Sequence, residues 1–189
     1  MPLKISRRGG EGVTVPYAPI FDGVRKNRGF RDARGRPDLA AEIAEGIESR
    51  ALGECLVRIA KENLYFSLGC DLGNHHEPEQ PAPLRQIAGG YIQVTSINYA
   101  SVTTDQLDTF SLAFGSKLKR LSGSHHWSID LVGTWVNFVL PGEPAVSAPS
   151  MWIWFFAAAR TPSKADASRE SLIGAISETL HAPAVSKCL

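Results

Sequence analysis

The chain has 189 residues, 43% of them apolar and 21% charged, with a formal net charge of +1. That length suits one domain plus an appendage, and the composition is that of a water-soluble globular protein rather than a disordered one. The longest apolar run, MWIWFFAAA at 151–159, is about half of what a membrane-spanning helix needs, and no apolar core follows the charged start MPLKISRRGG, so a cytoplasmic protein without a membrane partner is expected.

Residues 1–37 read as an arm. Glycine and proline punctuate them and no helical or strand period persists. They hold nine basic and three acidic side chains, which leaves 11 basic against 16 acidic in residues 38–189. Opposite charge on two parts of one chain lets the arm fold back on its own body, reach a second copy, or reach an anionic partner.

The body, 38–189, reads as a single domain expected to fold without residues 1–36. Asp38 is placed to cap a helix over about 38–50, with Leu39, Ile43 and Ile47 on one side. CLVRIA and LYFSLGCDL are strand-like, and KEN between them is read as a hairpin turn. A proline-rich loop follows from Gly73 to Pro83. GYIQVTSINYA has the β-branched and aromatic content of a strand, and Gly89–Gly90 at its start suggests a bulge or a close backbone approach. Thr103 and Gln106 form a capping box, after which Leu107, Phe110, Phe114, Leu118 and Leu121 share one helical face and Gly123 can end the helix. HWSIDLV and WVNFVL flank Gly133–Thr134, read as a hairpin. MWIWFFAAAR is apolar on both faces, hence a central strand, and Trp152 and Trp154 on one of those faces are read as core, with the lining of a ligand pocket as the alternative. A helix over about 163–181 carries the stripe Leu172, Ile173, Ile176 and Leu180, with Pro183 beyond it. The fold class expected is α+β: a largely antiparallel sheet of about five to six strands, about three helices mainly on one face, and an extended N-terminal arm.

Two places carry candidate chemistry. His75, His76 and Glu77 lie in one loop, and His125 with His126 recur fifty residues later. One imidazole from each pair with a carboxylate such as Glu77, Glu79 or Asp71 would hold a divalent metal, provided that the two segments meet. The competing account is a solvated loop and a helix-to-strand turn, and no His-Glu-x-x-His spacing supports the metal. Three cysteines, Cys55, Cys70 and Cys188, fit no disulfide or zinc framework, and Cys70 beside Asp71 is a weak nucleophile candidate.

The second place is the arm. Arg25, Lys26, Arg28, Arg31, Arg34 and Arg36 interleave with Phe30, a pattern that suits an acidic protein surface or a phosphate backbone. The acidic body does not help on nucleic acid, so a protein partner or a homo-oligomer is the first expectation. The function expected is therefore binding or assembly through the arm. A metal-dependent enzyme built on the histidine pairs is the second reading, and nucleic-acid binding by the arm is the third.

Overall fold

The structure, a computed structural model, describes residues 3–7, 13–21, 26–76, 86–121 and 126–188. Its centre is a mixed sheet. Strands β5 (Tyr65–His76), β6 (Gln86–Ser96), β7 (Trp127–Phe138) and β8 (Val146–Ala159) are antiparallel neighbours, and β8 lies inside the sheet, between β6 and β7. Two strands of the arm, β1 (Leu3–Arg7) and β2 (Val13–Val15), both pair in parallel with β7, end to end along its outer side. The order is thus β1–β7–β8–β6–β5, with β2 beyond the end of β1. A short hairpin, β3 (Ile20–Phe21) and β4 (Lys26–Asn27), stands apart from this sheet. The α+β expectation holds, with parallel edges supplied by the arm.

Strand alternation divides the sheet into two faces. Ile129 and Leu131 of β7, Ile153 and Phe155 of β8, and Ile92 and Val94 of β6 point to the face that the helices cover, and all are buried. Helix α4 (Thr104–Leu121) brings Phe110, Phe114 and Leu118, and helix α5 (Pro162–Leu180) brings Leu172, Ile173, Ile176 and Leu180. The capping box of α4 forms as read: Gln106 accepts from the Thr103 N–H at 2.8 Å, and its own N–H donates to the Thr103 hydroxyl at 3.2 Å.

The region 37–62 departs from the sequence reading. Three helices, α1 (Pro37–Ala41), α2 (Ala44–Glu48) and α3 (Arg50–Glu62), replace one helix and one strand. CLVRIA lies inside α3, because Leu52, Cys55, Leu56 and Ile59 follow the three-to-four spacing of a buried helix face. Ser49 turns extended and caps α3 by accepting from the Leu52 N–H. Glu170 of α5 takes the Ser49 hydroxyl at 2.5 Å and the Ala51 N–H at 2.9 Å, so a carboxylate sits at the positive end of α3 and ties two helices together. Asn63, in the left-handed region at φ 51°, closes the helix where a hairpin turn was expected.

The opposite face has its own smaller core. Phe66 and Leu68 of β5, Val136 and Phe138 of β7, Ala148 of β8 and Tyr99 are buried there against Val15, Tyr17 and Phe30 of the arm. The arm therefore pairs with β7, crosses the second face at one end, and delivers Ala33 to the helix-side core. A final short helix, α6 (Pro183–Ser186), buries Val185. No helix among the described residues is long and apolar enough to cross a membrane.

Candidate functional site

Most of the described arm cations face acids of their own chain. Arg31 bonds Glu42 at 2.7 Å and Arg36 bonds Asp38 at 2.8 Å. Arg34 forks between Asp32 at 2.6 Å and Glu143 at 2.7 Å, with its guanidinium 4.4 Å above the Phe66 ring, and the Tyr99 hydroxyl donates to Glu143 from the other side. Arg34 therefore holds the Glu143 carboxyl below its usual range. It does the same to Asp32, against the opposing effect of burial. Phe30 is a structural wedge: its ring meets Tyr17 and Phe66 edge-on at 5.9 and 5.7 Å. Arg28 lines a cleft of about 250 Å³ between the arm, the α1–α2 segment and the β5 edge, together with Glu45 and Cys70. The Lys26 backbone pairs in β4, and Arg25 lies outside the described residues.

His76 and His126 are at the same end of the sheet. His76 closes β5 opposite Ile87, Ile87 pairs with Ala158, and the Ala158 N–H donates to the carbonyl of exposed His126. Two strands thus separate the backbones of His76 and His126, roughly 14 Å at the usual strand spacing. His75 shares β5 with His76, while Glu77, Glu79 and His125 lie outside the described residues. Among the described residues no three metal-ligating side chains gather in one group. Cys70 offers no ready nucleophile: burial, then Glu45 and Asp71, push its thiol far above the ordinary range.

The structure presents two surfaces that composition alone did not. The first is the outer edge of the sheet. Among the described residues β1 and β2 pair only with β7, so their other side carries free backbone donors and acceptors. Apolar side chains are exposed along this edge: Ile5 is 42% exposed, Trp135 of β7 42% and Leu112 of α4 64% on the helix side, and Val13 44% on the opposite face. Helix α4 runs alongside β1. Arg7 pairs with Asp108 at one end, and Leu3 lies against Gly115 at the other. Ile5 stands between Leu3 and Arg7 on the same side of β1, and Leu112 stands between Asp108 and Gly115, so the two exposed side chains lie along the same flank. Val13 and Ile5 could have been flagged from the alternation in LKISR and VTV; Leu112 could not, because it needs the placement of α4.

The second surface is the remainder of the face opposite the helices. Trp152 and Trp154 stack with centroids 5.5 Å apart and planes 8° apart, and Tyr91 leans on both at 4.5 and 4.7 Å. They are half-buried on the second face, outside both buried core clusters, rather than core as expected for the tryptophans. The register places Asp71, Tyr91, Trp154, Asp130 and Lys4 in one row across five strands.

No family model, curated protein or solved structure matches this chain.

Proposed function

We propose that the protein works by assembly, and that the strands of its N-terminal arm are the joint. The observation that carries this reading is the edge of β1, unpaired among the described residues and flanked by exposed Ile5 and Leu112. A twofold axis through Ile5 pairs β1 with its own copy in antiparallel fashion. Ile5 then meets Ile5, Lys4 meets Ser6, and Leu3 meets Arg7, so no like charges oppose each other. Such a joint extends the six-stranded sheet across two chains and removes its exposed edge. The Leu112 side chains flank the joint and supply the apolar cover that a short strand lacks. The arginine stretch then anchors the arm to its own body, while the strands before it face outward.

Lys4 is the feature that weighs against edge pairing, since lysine on an edge strand discourages it. Its partner in the twofold register is a serine, which accepts the charge without repulsion. The test is the mass of the full-length chain in solution, by light scattering or native mass spectrometry. A dimer is expected, converted to monomer by Ile5→Glu or Leu112→Glu with helix and strand content unchanged. A further variant, Ile5→Cys with Cys70 and Cys188 replaced by serine, is expected to crosslink spontaneously, because directly opposed antiparallel residues lie within disulfide reach. A wild-type monomer, or a dimer indifferent to both glutamates, refutes the reading.

A further inference from the structure

The uncovered part of the second face combines three properties that point to one class of partner. The first is aromatic surface. Tyr91, Trp152 and Trp154 form a packed triad that retains solvent access, and they hold one another too closely to enclose a ligand, so what they offer is their outer surface. The second is charge. Asp71 precedes Tyr91 in the row and Asp130 follows Trp154. Among the described residues neither carboxylate makes an ion pair, and Asp71 Oδ1 accepts the N–H of Leu72 at 2.8 Å. Glu48 lies close enough to act on Asp71, and burial together with that charge leaves the Asp71 carboxyl raised, as befits an acid without a cation. The third is a flat floor. Gly73 follows Asp71 on the same face of β5, and among the described residues nothing but backbone stands within reach of a side chain there, while its partner Gly89 is covered by the Phe156 ring, so the open floor is at the Asp71 end.

We propose that this row docks an extended basic segment of a partner protein, with arginine as the recognised side chain. Guanidinium is planar, stacks on indole and phenol rings, and bonds a carboxylate through two parallel N–H groups, so one side chain satisfies both features of the row. Lysine can do only part of this. The carboxylates at the ends of the row are three strand spacings apart, about 14 Å, and an extended chain covers that distance in about four residues. The preferred segment therefore carries two arginines four residues apart and is laid across the strands. Lys4 neighbours Asp130 in the row and offsets part of its charge, so the Asp71 end contributes more. The row reaches β1 at Lys4, but its Asp71 end lies on β5 at the far side of the sheet, so the main contact does not depend on the dimer.

The probe is a capped glycine peptide with arginines at the first and fifth positions, titrated calorimetrically into the full-length chain. Saturable binding is expected, weakened on the order of tenfold or more by Asp71→Asn, and by less for Asp130→Asn. Trp154→Leu is expected to weaken it as well, and replacing both arginines by lysine to weaken it while keeping some affinity. Asp71 is exposed, so its asparagine variant is expected to fold even if the tryptophan variant does not. Ile5→Glu is expected to leave the binding unchanged. Equal affinity for a peptide with glutamates in place of the arginines, affinity unaffected by Asp71→Asn, or no saturable binding would each overturn the proposal.

Discussion

Consider a chain truncated before Pro37. Sequence reasoning makes the arm an appendage, but the structure gives it the inner side of a core. Val15 is 1% exposed, and burying a valine contributes about 1.5 kcal/mol. Tyr17 and Phe30, half-buried on the same cluster, add about 2–3 kcal/mol together. Truncation also bares Phe66, Val136 and Phe138, all at 1% exposure or less, and returning part of that surface to water costs a comparable amount. The sum, about 6–8 kcal/mol before any strand hydrogen bond is counted, rivals the whole stability of an ordinary domain, about 5–15 kcal/mol. The truncated chain is expected to lose its cooperative urea transition and its near-ultraviolet signal, and to bind a hydrophobic dye. Val15→Ala supplies a graded companion in the full chain, at a cost of about 2 kcal/mol with unchanged urea dependence. A truncated chain that unfolds cooperatively near the full-length midpoint would refute this account of the second core.

Three further outcomes follow from particular contacts. Gly90→Ala and Gly174→Ala are the same chemical change with opposite expected signs: a methyl at Gly90 would sit 2.3 Å from the Asp71 carbonyl oxygen and 2.9 Å from the Phe155 ring, whereas at Gly174 in α5 nothing lies within 4 Å. The first is expected to cost about 3 kcal/mol and the second to stabilise by about 0.8 kcal/mol, read from urea midpoints, and equal effects would contradict the packing at the β5–β6 pair. Asp32 and Glu143 both have carboxyls lowered in the folded chain, so what they contribute is present above the ordinary carboxylate range and is lost as pH falls through their folded values. Stability is therefore expected to decline below about pH 4 more steeply in the native chain than in Arg34→Met, and parallel profiles would show that the Arg34 fork contributes nothing. Alkylation followed by peptide mass spectrometry at neutral pH is expected to modify Cys188 before Cys70 and to spare Cys55, whose thiol burial pushes up to about 11; early modification of Cys70 would contradict its placement.

What the sequence made legible depended on whether a signal was local. The α4 helix was legible because its capping box, apolar stripe and terminal cations all fall within one contiguous stretch. The central position of β8 was legible because its two faces are apolar for different reasons, one facing the helices and one carrying Trp152 and Trp154. Which face was which depended on the helices and was not legible. Residues 55–60 misled because a short apolar run suits a strand and a buried helix equally. Gly133 misled in another way: it looked like a turn, but β7 runs straight through it, and a side chain there would meet Leu107 of α4 at 3.1 Å. Its small size serves the approach of a helix, and no sequence window of β7 contains that helix. The reading of Gly89–Gly90 as a close approach held because both neighbours are paired strands: Gly90 lies against the Asp71 carbonyl of β5, and Gly89 against Phe155 and Phe156 of β8.

The arm's charge is the sharpest case, and it yields a last expectation. Counting side chains gives six cations between Arg25 and Arg36, the number a phosphate-binding segment would show. The count cannot see Asp32, Asp38, Glu42 and Glu143, which take Arg31, Arg34 and Arg36 in the folded chain. Binding to a single strand has a log-salt slope of about −0.7 per phosphate neutralised, so six free cations would give about −4. With three of them held by carboxylates, the slope is expected to be no steeper than about −2, and affinity for an oligothymidine to be weak at physiological salt. Anisotropy titration of a labelled strand at several salt concentrations measures this directly. A slope near −4 would mean that the arm gives up its own ion pairs for phosphate, and the arm would then be a nucleic-acid ligand that merely rests on the sheet. A shallow slope leaves the arginines as anchors and the edge of β1 as the part of the arm that meets a partner.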